Sequence, residues 1–194
     1  MKAARWLTEG EALWDTSPDL RTAAAAVFSR GSAMSWMAAA LGARRREPAP
    51  SVPPWCAEAG VWKYALAATA GAGALGAASA VGAPWLAAAP LGGLAFYAVE
   101  VQFVFAIPIA LDGARHPLRA SRALLARVGG TPEGLRVVLP IAAHMLTGGL
   151  RGRGALRSWC AGCIAVLCWY EEARGLAGDE ISIMGQEEGP CTAA

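Results

Sequence analysis

The sequence predicts an all-α, polytopic membrane protein with about four membrane-embedded helices, the last two short. Three observations carry that prediction. Residues 61–111 form a near-continuous apolar stretch broken once, at Gly82-Ala83-Pro84-Trp85, which suits one helix, a tight turn and a second helix crossing a bilayer. Hydrophobic residues make up 55% of the chain and charged residues only 16%, against about a quarter charged in ordinary soluble domains. A block of positive charge follows the stretch: residues 112–157 carry eight arginines against two acids. Such a block beside apolar segments points to the cytoplasmic leaflet of a membrane. Without interleaved aromatics to stack bases, it does not point to nucleic acid. Arg outnumbers Lys 15 to 2 and Ala, Gly and Pro are abundant, a bias of GC-rich bacterial genomes. The expected location is therefore a bacterial inner membrane, crossed more than once.

The elements follow in order. Residues 1–21 are polar and predict a short helix ending before Pro18. The segment Met1-Lys2-Ala3-Ala4-Arg5-Trp6 runs into acidic residues instead of an apolar core, so no cleaved signal peptide is expected. Residues 22–43 read as an Ala-rich helix bearing Val27, Phe28, Met34, Trp36, Met37 and Leu41, with Arg30 inside and Arg44-Arg45-Arg46 closing it. A mid-helix arginine is costly in hydrocarbon, which places this helix on the protein or at the membrane surface. Residues 1–46 thus form an N-terminal helical segment, cytoplasmic or interfacial. Four prolines in residues 47–55 forbid a helix and mark a Pro-rich linker, 47–60.

Residues 61–170 are expected to form the membrane bundle. The first span, Val61 to Gly82, is almost all Ala and Gly inside, and small residues four apart (Ala72 with Gly76, Gly73 with Ala77) suit close packing on a neighbour. Trp62, Tyr64 and Trp85 suit its two interfaces. The second span, Trp85 to Leu111, is loosened by Pro90 and Gly92-Gly93 and is expected to kink at Pro108. Residues 112–134 form an amphipathic basic loop. Within it, Leu118, Ser121, Leu124, Leu125 and Val128 share one side of a helix started by Pro117 and ended by Gly129-Gly130. Two short apolar segments follow, 137–150 and 158–170, below the ~20 residues needed to cross unaided. From Glu171 the chain turns acidic and Gly-rich and is expected to be a disordered tail, 171–194.

The run Phe105-Ala106-Ile107-Pro108-Ile109-Ala110-Leu111-Asp112-Gly113, followed by Pro117-Leu118-Arg119-Ala120-Ser121, resembles a segment in the membrane domain of bacterial glycerophosphoryl diester phosphodiesterases and related multi-pass proteins. The likeness covers about residues 96–121. It implies a non-catalytic helical membrane domain with the amphipathic helix on the cytoplasmic side.

Few residues point to chemistry. Glu100, with Gln102 beside it, lies inside the second span, where a carboxylate must be paired, protonated or wet. It suits either a proton or cation relay or an interhelical bond that fixes packing. His144 in the third apolar segment is its candidate partner. Arg115, Arg119, Arg122 and Arg127 form a stripe suited to lipid phosphates or simply to orientation by charge. Cys160-Ala161-Gly162-Cys163 is a C-x-x-C motif, suited to thiol redox work or to soft packing. The five cysteines do not resemble a secreted disulfide framework. Two distant histidines make a zinc hydrolase a poor fit, and no nucleotide loop or hydrolase elbow occurs. No metal or cofactor is expected. The sequence favours a non-enzymatic scaffold or partner-binding membrane component. The alternatives are a small transporter or channel subunit using Glu100 and a membrane thiol oxidoreductase using Cys160 and Cys163. Expected partners are membrane lipids and a second protein or second copy of the chain, with no nucleic acid.

Overall fold

The computed structural model describes residues 2–25 and 32–177. Val27, Phe28, Arg30, Cys191 and most of the acidic tail lie outside the described residues. Among those described, all regular structure is helical, and one helical stretch, Trp85–Leu111, is long and apolar enough to cross a membrane.

Helix α1 (Lys2–Thr16) ends before Pro18, as expected. It is not merely polar, for Ala3, Trp6, Gly10 and Trp14 recur every three or four residues and are buried on one face. The expected helix 22–43 is instead two elements, α2 (Pro18–Ala24) and α3 (Ser32–Arg45). Pro18 occupies the first turn of α2 and starts that helix early, because its fixed φ suits an N-terminus and its missing N–H would be unpaired there anyway. Trp36 of α3 is buried and donates its indole N–H to the Leu20 carbonyl at 3.0 Å.

The Pro-rich linker is shorter than expected, since α4 (Cys56–Ala80) begins five residues before Val61. Helix α4 runs to a turn and returns as α5 (Trp85–Glu100). The turn is a Schellman closure: Gly82 is left-handed at φ +77, its N–H reaches the Ser79 carbonyl at 3.0 Å, and the Ala83 N–H reaches Ala78 at 3.0 Å. The two helices touch at Gly71 and Gly92. A Cβ on Gly71 would lie 3.1 Å from the Gly92 carbonyl oxygen, and the reverse contact is also 3.1 Å. The small-residue pairs read from the sequence are not the ones used, because Gly73 and Gly76 face open space.

After α5 the chain passes through one 3-10 turn, Val101–Phe103, into α6 (Ala106–Leu111). The irregularity therefore precedes Pro108 instead of sitting on it. A proline blocks the carbonyl four residues upstream, here Val104, and itself fits the first turn of the next helix. Ser121 repairs the break: its buried hydroxyl donates to the Gln102 carbonyl at 3.0 Å and accepts the Phe105 N–H at 3.2 Å.

Helix α7 (Pro117–Arg127) buries Pro117, Ser121, Leu124 and Leu125 and leaves its arginines outside. Left-handed Gly129 and Gly130 end it and lead into α8 (Gly130–Thr147). Helix α9 (Ala155–Ala177) is longer than the 158–170 segment read from sequence, and so is α8 at its N-terminal end. Glu171 and Glu172 lie inside α9 and are ion-paired, so the acidic tail does not begin at Glu171.

Helix α9 is buried nearly all round. Helix α1 packs along it, with α3, α7 and α8 around the rest. Trp6 stacks on Trp169 with ring centres 5.8 Å apart, and Phe105 meets Trp169 edge-on at 4.5 Å. These rings, with Leu41, Ile109, Leu124, Leu125, Ile141, Ile164 and Leu167, form the core of a helical cap. The N-terminal segment is thus part of this core. The α4–α5 hairpin projects beyond it.

Candidate functional site

Glu100 does not meet His144. Its carboxylate lies 2.6 Å from the Lys63 ammonium, and both residues are buried, at 8% and 4% exposure. Lys63 also stands 5.1 Å from the centre of the Tyr64 ring. The pair joins α4 to α5 where the hairpin leaves the cap. From Tyr64 to Val99 no charged residue or histidine occurs. The hydroxyls of Thr69 and Ser79 bond back to carbonyls of their own helix, at 2.8 and 2.9 Å. Past Lys63 the hairpin therefore carries no charged side chain over about 27 Å of α4, as far as Val81, close to the ~30 Å of a bilayer's hydrocarbon.

Gln102 serves the fold. Its amide donates to Thr131 Oγ1 at 2.6 Å and ties the helix break to the start of α8. His144 faces Glu11 of α1 at 3.5 Å, next to Arg153 and Arg157, and its Nε2 has no hydrogen-bond partner. Burial lowers its pKa below 6.5. Glu11 opposes that shift and the nearby arginines reinforce it.

Cys160 and Cys163 stand well inside α9, not at its N-terminus. Burial pushes both thiols up to about 12; the Cys160 shift is raised further by Cys163, and the Cys163 shift is partly opposed by Lys63. A thiolate is the reactive form, so this setting suits packing and not exchange. No group of three or more metal-ligating side chains occurs among the described residues.

The arginine stripe divides. Arg127 lines a cavity of about 220 Å³ with Lys2, Trp6, Glu133 and Glu172. Arg115 and Arg119 line a separate groove of about 400 Å³ with Trp55, Trp62, Glu58 and His116. Arg115, Arg119 and Arg122 make no ion pair or hydrogen bond among the described residues.

Sequence reading missed the strongest charge cluster. Asp112 accepts both η nitrogens of Arg45, at 2.7 and 3.0 Å, the Tyr170 hydroxyl at 2.6 Å and Arg174 at 2.9 Å. Arg45 also reaches Glu171 at 2.7 Å. Burial raises the Asp112 pKa, but the hydrogen bonds from Arg45 and Tyr170 outweigh it and hold the carboxyl below 3.8. The cluster bolts α3, the end of α6 and α9 together. Asp112 and Arg45 are far apart in sequence, and no local pattern announces their meeting.

Comparison of the chain with protein-family models, with curated proteins and with solved structures finds no match.

Proposed function

We propose that this chain is a non-enzymatic membrane component, a scaffold or partner-binding subunit anchored by the α4–α5 hairpin. One observation carries the reading. Beyond the Lys63–Glu100 pair the hairpin exposes large apolar side chains, with Val81 at 84%, Trp85 at 68%, Leu86 at 87% and Leu91 at 52%. The second part of the same apolar run, Val101 and Val104 to Leu111, is buried by protein. An exposed apolar surface of this extent marks an interaction site, and an uncharged helical pair suits lipid.

In this reading the chain crosses a bacterial inner membrane twice, by α5 and by α4, which falls short of a span by its own composition and is carried by its packing on α5. Trp62 and Tyr64 sit at the near interface and Trp85 at the far one. The cap lies on the cytoplasmic face, where α7 presents its arginines in line with the positive-inside tendency. The local resemblance to the glycerophosphoryl diester phosphodiesterase membrane domain supports the same side. Helices α8 and α9 stay with the cap, because protein covers the apolar surface of α9. The Lys63 partner of Glu100 favours packing over a relay, and neither groove described above reaches Glu100. The buried thiols favour packing over disulfide exchange.

Flotation of the full chain with lipid vesicles tests the proposal. The chain is expected to rise with the vesicles and resist carbonate extraction. Leu86→Asp with Leu91→Asp is expected to keep it at the bottom, whereas Leu146→Asp on α8 is not. A chain that is monodisperse without detergent and ignores vesicles refutes the anchor.

A further inference from the structure

We propose that the groove between the start of α4 and the start of α7 holds the phosphodiester headgroup of an anionic membrane lipid. The inference rests on the hairpin being the membrane anchor and deepens that reading.

Four features meet in the groove. First, Arg115 and Arg119 are exposed and carry no partner among the described residues, whereas Arg44, Arg45, Arg153, Arg157 and Arg174 are each paired to a carboxylate. Two guanidinium groups on one wall suit a phosphate, whose oxygens accept their planar forks. Second, Trp55 and Trp62 line the same groove from the start of α4, and Trp62 is 62% exposed. Tryptophan is the side chain that settles at headgroup level. Third, Glu58 also lines the groove. Its carboxylate repels a bare anion but accepts a hydroxyl, so it favours a headgroup with a hydroxyl substituent over inorganic phosphate. The two arginines and Glu58 together carry a net charge of +1, which one phosphodiester neutralises. Fourth, the groove lies where α4 leaves the cap. Glu58 and Trp62 are one turn apart on α4, and the uncharged segment starts at Tyr64. A headgroup seated there has its acyl chains beside the exposed face of the hairpin.

The experiment uses the full chain in vesicles of phosphatidylcholine alone and in vesicles with added phosphatidylglycerol. Flotation reports insertion. Native mass spectrometry of the extracted protein reports which lipid is retained. Wild type is expected to retain phosphatidylglycerol over phosphatidylcholine. R115Q/R119Q is expected to weaken that preference by about twenty-five-fold, about five-fold for each guanidinium. R122Q, on the same helix but outside the groove, is expected to keep it. An unchanged preference in R115Q/R119Q overturns the inference, and so does an equal loss in R122Q, which would mean diffuse charge attraction. Displacement of the lipid by millimolar inorganic phosphate overturns the lipid as the source. A chain that floats without headgroup preference refutes the groove alone, whereas a chain that fails to float refutes the hairpin anchor and the groove with it.

Discussion

Lys63→Met removes the cation at the root of the hairpin and leaves Glu100 facing an apolar neighbour. The carboxylate is only 11% exposed at its side chain and has Lys63 at 2.6 Å. Breaking a buried ion pair from one side costs about 3–5 kcal/mol, because the remaining charge keeps its desolvation penalty without its partner. In a chain of this size each kcal/mol moves the midpoint by about 2–4 °C, so a fall of roughly 10 °C is expected. Glu100→Met alone is expected to cost a similar amount. K63M/E100M, which removes both charges, is expected to recover most of the loss, since apolar replacement of a whole buried pair is often neutral. The assay is a double-mutant cycle on the full chain in micelles, followed by helix signal against temperature. If both single variants lose less than about 1 kcal/mol and the double is their simple sum, the pair is not coupled and the reasoning fails. The cycle also separates packing from a relay. A relay predicts that Glu100→Gln folds as well as wild type and loses only flux, whereas the pairing predicts that it is destabilised.

Other expectations follow from the same geometry. Asp112 has a lowered pKa in the fold, so its contribution to stability is present above 3.8 and lost as the pH falls through the lower folded value. Asp112→Asn is expected to cost about 1–3 kcal/mol at neutral pH and to flatten the acid limb of a stability-against-pH curve; an unaltered acid limb refutes the role of this carboxyl. At Gly10 an added Cβ would lie 2.5 Å from the Ala161 carbonyl oxygen, so Gly10→Ala is expected to push α1 off α9 and cost about 1–3 kcal/mol by denaturant unfolding. Gly73→Ala, facing open space within a helix, is expected to be neutral or mildly stabilising in the same measurement. With thiols pushed up to about 12, Cys160 and Cys163 are expected to resist iodoacetamide at neutral pH until the chain is unfolded. Rapid labelling of either in the native protein, seen by mass spectrometry, would restore a redox role.

Much of the helix plan was legible in the chain itself. Proline and glycine decide where a backbone can continue, and those rules are local: Pro18, the prolines of the linker, Gly82 with Pro84, and Gly129-Gly130 each stand at a helix boundary. Periodicity is local too, which is why the inner face of α7 was readable from Leu124 and Leu125. The stripe Ala3, Trp6, Gly10 and Trp14 was equally readable and marks α1 as a packing helix. What periodicity does not say is what covers an apolar helix. Residues 158–170 and 101–111 have the composition of membrane segments, yet α1, α3, α7 and α8 cover them with protein. Residues 64–99, no more apolar in character, pack on each other and leave Leu66, Val81, Trp85, Leu86, Leu91 and Leu94 exposed. The partner of each charge was equally out of reach. Glu100 sits opposite Lys63 only because α4 and α5 run antiparallel from one turn, and Asp112 meets Arg45 and Tyr170 only because three distant helices converge. Hydropathy and turn chemistry are properties of neighbours in sequence, so the chain alone determined that the fold is helical and those helix ends that proline or glycine marks. Which apolar face is core, which is surface, and which charge answers which depend on contacts made across long sequence separations, and the tertiary structure alone decided those.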